Sequence, residues 1–89
     1  MLDEDARLEI ARVQVGLRLR ELRLQAGWTL AETAEYTGLT KGFVSDVERG
    51  RRQPSLANLL RYADVYGCLV TDLLDGVYPY GHKRPPRSR

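Results

Sequence analysis

The spacing of glycine and proline constrains this chain more than any other feature. Gly16, Gly27, Gly38, Gly42, Gly50, Pro54, Gly67 and Gly76 punctuate it. Most of the stretches between them, about 8–15 residues long, place apolar residues at helical three- and four-residue intervals. No stretch alternates polar and apolar residues in the two-residue rhythm of a strand. The expected fold is all-α: a compact bundle of five short helices joined by tight turns.

Val15, Leu19, Leu22 and Ala26 form one helical stripe that ends at Gly27, so the first firm helix covers residues 14–26. Leu8 and Ala11 continue the stripe back towards Asp3. An interior glycine costs about 1 kcal/mol against alanine, so Gly16 could mark a bend, and the junction there stays open. Thr29-Leu30-Ala31-Glu32 is a capping box that starts a second helix, with Leu30, Thr33 and Ala34 as its buried face and Gly38 as its end. Thr40 caps a third helix whose buried side holds Val44 and Val47, with Leu39 and Val44 spaced as a hydrophobic staple. Ser55 caps a fourth with the core stripe Leu56, Leu59, Leu60, Ala63 and Tyr66. A fifth, about 70–75, buries Val70, Leu73 and Leu74. From Gly76 on, three prolines and two glycines in 14 residues predict a mobile tail. The chain thus divides into an N-terminal helical extension (1–13), a helical domain (14–75) and a Pro/Gly-containing basic tail (76–89).

A chain of 89 residues has room for one small core, which excludes most large enzyme folds. The only cysteine is Cys68 and the only histidine His82, so no disulfide, metal site or cofactor is expected and the protein is read as no enzyme. Asp3, Glu4, Asp5 and Glu9 stand where a signal peptide would be apolar, and no apolar run is long enough to span a bilayer, which predicts a cytoplasmic location without membrane contact. The net charge of +2 is unevenly placed. Residues 1–9 carry four acids and one arginine, whereas Lys83, Arg84, Arg87 and Arg89 crowd the end. That asymmetry points to a polyanionic partner.

Several short motifs add to this pattern: Arg-Glu-Leu-Arg at 20–23, Ala34 and Gly38 four apart, Thr40 leading to Phe43-Val44-Ser45, then Val47-Glu48-Arg49-Gly50 and Pro54-Ser55-Leu56. On these residues the stretch Gly16–Leu74 resembles the phage-repressor and Cro-like (xenobiotic-response-element type) helix-turn-helix domains, five-helix DNA-binding modules. The resemblance implies that helices two and three form the motif, that Lys41–Arg49 is the recognition helix, and that Arg23 and Glu48 form a structural ion pair. One position departs from it: such domains often begin helix two with a Gln that bonds a DNA phosphate, and here that residue is Leu30.

With Val44 and Val47 turned inward, Lys41, Gly42, Ser45, Asp46 and Arg49 face outward. Lys41 can donate to guanine O6 and N7, Asp46 can accept from the cytosine amino group, Ser45 can do either, and Gly42 lets the backbone come close. Arg49, Arg51 and Arg52 can clamp phosphates, and the amides at the helix starts capped by Thr29 and Thr40 add donors. Trp28 and Tyr36 read as packing residues at the turn, Cys68 as a small core residue and His82 as a solvated one. Ile10, Leu17 and Leu24 lie off the core stripe, so either the Val77-Tyr78-Pro79-Tyr80 segment or a second subunit should cover them.

These readings combine into an expected function: a sequence-specific, double-stranded DNA-binding transcriptional regulator, a small homodimeric repressor that reads an inverted-repeat operator through the major groove. Two alternatives stand beside it. One is the DNA-binding antitoxin of a toxin pair, with the C-terminal tail engaging a protein partner; the other is a helical protein-interaction module without DNA binding.

Overall fold

The structure, a computed structural model, describes residues 3–77. They form α1 (Glu4–Ala26), α2 (Leu30–Thr37), α3 (Lys41–Glu48), α4 (Leu56–Tyr66) and α5 (Val70–Leu74), with no strand among the described residues. The all-α, five-helix expectation holds. Residues from Tyr78 on, including His82 and most of the Val77–Tyr80 segment, lie outside the described residues.

The starts of α1 to α4 use the side-chain caps that their sequence offers, whereas α5 begins after Leu69 with no side-chain cap. Asp3 accepts from the Ala6 amide at 2.7 Å, Thr40 from Phe43 and Ser55 from Asn58 (both 3.1 Å). At Thr29 both arms of the capping box are made, Glu32 N to Thr29 Oγ1 at 3.0 Å and Thr29 N to Glu32 Oε1 at 2.9 Å. These bonds satisfy amides that a helix start leaves without partners.

The N-terminal extension is the first half of α1, which runs unbroken through Gly16. Gly16 is not a bend. A Cβ at this position would overlap the Val47 carbonyl oxygen and come within 2.8 Å of that of Glu48. Glycine is needed because two backbones touch, a requirement of tertiary packing that no spacing within α1 reveals.

Leu19, Val44, Val47, Tyr62 and Leu73 are fully enclosed, with Val15, Leu59 and Ala63 around them. The α4 stripe needs correction. Leu56 and Leu60 are exposed, and Tyr62 takes the central place. Leu59 and Ala63 belong equally to a stripe containing 56 and 60 and to one containing 62 and 66, and only the position of α1 and α2 decides between them. The Tyr62 hydroxyl is buried without a hydrogen-bond partner among the described residues, and burial pushes its pKa well up. Leu8 and Leu74 also prove largely exposed, while Leu30 and Val70 are half-buried. Trp28 packs edge-on against Tyr36 (4.7 Å) and stacked on Tyr66 (5.2 Å). Cys68 packs half-buried beside the core, and burial raises its thiol pKa, the setting of an inert thiol.

The α2–α3 turn depends on Gly38, whose φ is 76°. Its amide and that of Leu39 both donate to the Ala34 carbonyl (2.9 and 3.1 Å). Arg61 reaches across from α4 to donate to the Thr37 carbonyl at 3.1 Å. Gly38→Ala should therefore cost about 1 kcal/mol of left-handed strain and displace the Arg61 guanidinium, a fall of roughly 4–8 °C in a thermal melt. An unchanged melting temperature would refute this account of the turn.

Candidate nucleic-acid interface

The third helix is two-sided. Val44, Val47 and Glu48 are buried, whereas Lys41, Gly42 and Arg49 are exposed and Ser45 and Asp46 half-buried. At about 100° per residue, positions 41, 42, 45, 46 and 49 form one continuous outer face. A cation, two groups that accept hydrogen bonds and a second cation are thus set along two turns. Nothing lies within 4 Å of where a Gly42 side chain would start, so the backbone near the start of this face is bare.

Arg49 ends α3 and Gly50 turns the chain at φ 72°, with the Arg51 amide donating to the Asp46 carbonyl at 2.9 Å. That turn holds Arg51 beside the outer face. Arg52 is differently placed: its guanidinium lies over the Phe43 ring, 5.4 Å from the centroid. A cation on an aromatic face gains modestly where exposed. The pair spans nine positions across a turn, a relation that helical periodicity cannot expose. Thr29 stands apart from this group at the start of α2, with its own hydrogen bonds directed to Glu32 and Thr33.

Behind the outer face, Arg23 of α1 clamps Glu48. Nε donates to Oε2 at 2.8 Å and Nη2 to Oε1 at 3.0 Å, a two-pronged contact between side chains only 12% and 5% exposed. The remaining nitrogen, Nη1, donates to the Trp28 carbonyl at 3.0 Å. The Glu48 hydrogen bond holds the Arg23 pKa above its ordinary value, against the effect of burial. With the Gly16 contact, α1 therefore fixes α3 twice, through backbone and through charge. Arg61, which sequence reasoning missed, locks the turn between α2 and α3 from the other side. Neither a pattern within α4 nor its charge marks Arg61 for this task.

The family description "Helix-turn-helix" matches residues 19–73, the stretch that holds all of these contacts except those of Gly16. The chain belongs to the helix-turn-helix family. Among its relatives, the HTH-type transcriptional regulator DdrOP3 of Deinococcus deserti is 47% identical over 64 residues, covering 72% of this chain and 50% of that protein. The immunity repressor protein of Bacillus phage phi105 is 32% identical over 60 residues, covering 67% of this chain and 42% of that one. The chain thus spans half or less of these two relatives. The restriction-modification controller protein C.AhdI from Aeromonas hydrophila superposes with a TM-score of 0.68 at 39% identity, covering 70% of this chain and 94% of that one. Membership establishes a helix-turn-helix domain, and the relatives carry the names of a transcriptional regulator, an immunity repressor and a restriction-modification controller. Among the described residues of this helix-turn-helix protein, no helix is long and apolar enough to cross a membrane, and no cluster of His, Cys, Asp or Glu could hold a metal ion.

Proposed function

We propose that this chain is a sequence-specific repressor that acts in the cytoplasm as a homodimer, covering an inverted-repeat operator with α3 in the major groove. The observation that carries this reading is the outer face of α3. Lys41, Gly42, Ser45, Asp46 and Arg49 stand outward on a helix whose other side is buried and fixed by Arg23 and Gly16. Lys41, Ser45 and Asp46 read base edges there. Arg49 and Arg51 hold phosphates, and the remaining first-turn amides of the helices that begin at Thr29 and Thr40 add neutral donors. Arg52, drawn over Phe43, contributes charge from a fixed position. Three reading side chains discriminate few base pairs, so two copies with α3 helices about 34 Å apart, one duplex turn, supply the missing specificity.

Selection of bound duplexes from a random pool, followed by titration in salt, tests this directly. The expected product is an inverted repeat with half-site centres roughly 10 base pairs apart. Lys41→Ala and Asp46→Ala should each alter the preferred base at one position by about 1–3 kcal/mol. Arg49→Ala and Arg51→Ala should weaken all sequences alike and reduce the salt slope by about one unit each. Binding without salt dependence, or an Asp46→Ala protein that selects the original site, would overturn the assignment.

A further inference from the structure

An open groove of about 170 Å³ lies between α1, α4 and α5. Its walls include Leu8, Ala11 and Val15 of α1, Leu59 of α4, Leu74 of α5 and Val77, the last described residue. Leu8 and Leu74 are 42% and 40% exposed at its mouth. The space is smaller than the roughly 300 Å³ at which pockets for small-molecule ligands begin, yet a cavity of about 150 Å³ takes a benzene-sized group. One aromatic ring fits. Arg12, on the same wall, holds its Nε out of solvent with no hydrogen-bond acceptor among the described residues, a donor that calls for a carbonyl nearby.

We infer that the chain's own Tyr78–Tyr80 segment occupies this groove, with the Tyr80 ring between Leu8 and Leu74 and the basic residues that follow set beside the acidic first turn of α1. The chain leaves the described structure at the groove itself. Arg18 of α1 holds that exit, donating to the Asp72 carbonyl at 2.7 Å and the Asp75 carbonyl at 3.0 Å, and the Val77 amide donates to the Leu74 carbonyl at 3.0 Å. Tyr78 precedes Pro79 and is thereby confined to extended conformations, and Pro79 itself to a φ of about −65°. In the polyproline geometry that these favour, three residues make one turn of about 9 Å, so Tyr80 shares a side with Val77. Val77 borders Val15, and Leu8 is seven residues, about 10 Å, further along the same wall. The ring arrives where the groove is most exposed. A backbone of this form pairs none of its own carbonyls, which leaves one for Arg12.

Charge fixes the direction. Positions 15, 12, 11, 8, 5 and 4 share one face of α1, so the groove runs out into Glu4 and Asp5, both exposed. Residues 77–81 carry no charge as they pass Arg12. Lys83 and Arg84, about 19 Å or more from Val77 along such a chain, come level with Glu4 and Asp5. A second groove that Val77 borders is lined by Gln14, Arg18, Glu21 and Asp75 beside Leu17, a polar setting for a ring. Ile10, Leu17 and Leu24 lie round the other side of α1, away from this path. With the tail seated, the two charged ends of the chain neutralise each other. The seat does not depend on the DNA-binding reading.

Disulfide trapping in the full chain tests it. In a Cys68→Ser background, Gly81→Cys should close onto Asp5→Cys at least about tenfold faster than onto Leu17→Cys, whereas a tail without a seat, starting from the same Val77, would favour neither. Asp5→Cys leaves Glu4 in place, and Asp5 and Leu17 are both exposed, so neither change disturbs the fold. Tyr80→Ala should abolish the preference and Tyr78→Ala should keep it within about threefold. Lys83→Glu with Arg84→Glu should slow closure onto Asp5→Cys several-fold in dilute salt and leave it nearly unchanged at about 1 M, where screening acts within about 3 Å. In the unmodified chain, Tyr80→Ala should shift the methyl resonances of Leu8 and Leu74 and leave those of Leu24 in place. Equal rates, faster closure onto Leu17→Cys, a preference that survives Tyr80→Ala, or disulfides that join two chains instead of closing within one would each overturn the proposal.

Discussion

Gly16→Ala is expected to lower stability by about 3 kcal/mol, a fall of roughly 12–24 °C in melting temperature for a domain of this size. Helix propensity alone gives the opposite sign, since alanine in a helix interior is favoured over glycine by about 1 kcal/mol. The close approach of α1 to α3 decides the matter. The added methyl group meets two backbone carbonyl oxygens, those of Val47 and Glu48, and neither can swing aside as a side-chain end would. The helices must separate, which also pulls Arg23 from Glu48. A thermal melt reads the result, and a melting temperature that rises would show that the two backbones do not touch.

Removing one partner of the Arg23–Glu48 pair should be at least as damaging. Glu48→Ala leaves a guanidinium that is 12% exposed facing a void, and loss of one member of a buried pair costs about 3–5 kcal/mol. Replacing both by apolar residues of similar volume, Arg23→Met with Glu48→Leu, should recover most of that loss, because no uncompensated charge remains. The recovery is incomplete to the extent that the Trp28 carbonyl loses its Arg23 donor. Denaturant titration of the two proteins supplies the comparison. A cost below about 1 kcal/mol for Glu48→Ala would place the pair with ordinary surface bridges.

Local signals made much of this molecule legible. Each helix start expected at Thr29, Thr40 and Ser55 carries its cap, and Gly27, Gly38 and Gly67 end α1, α2 and α4 in the left-handed conformation. These features are written within four or five residues of chain, so a linear reading reaches them. The side of α4 that faces inward was not legible, because Leu59 and Ala63 are common to two stripes and the choice of Tyr62 over Leu56 and Leu60 is made by the helices packed against it. The role of Gly16 stayed open for the same reason: a glycine required by a neighbouring backbone looks, in isolation, like a flaw in its helix. For the outer face of α3, Val44 and Val47 indicated which residues turn away from the core. The partnership of Arg52 with Phe43 was invisible, since it closes across a turn whose path the spacing leaves free.

The bare backbone at Gly42 has an evolutionary consequence. It sits on the outer face in the first turn of α3, in ordinary helical geometry, with nothing within 4 Å to obstruct a side chain. Most residue types should be accepted there without loss of fold, and many would gain up to about 1 kcal/mol of helix propensity over glycine. The scaffold behind it is held by contacts that do not involve this position. Gly42 is thus an unspent degree of freedom: duplicated copies of the gene could diverge in the sites they recognise by changing this one codon, with neither copy passing through an unstable intermediate.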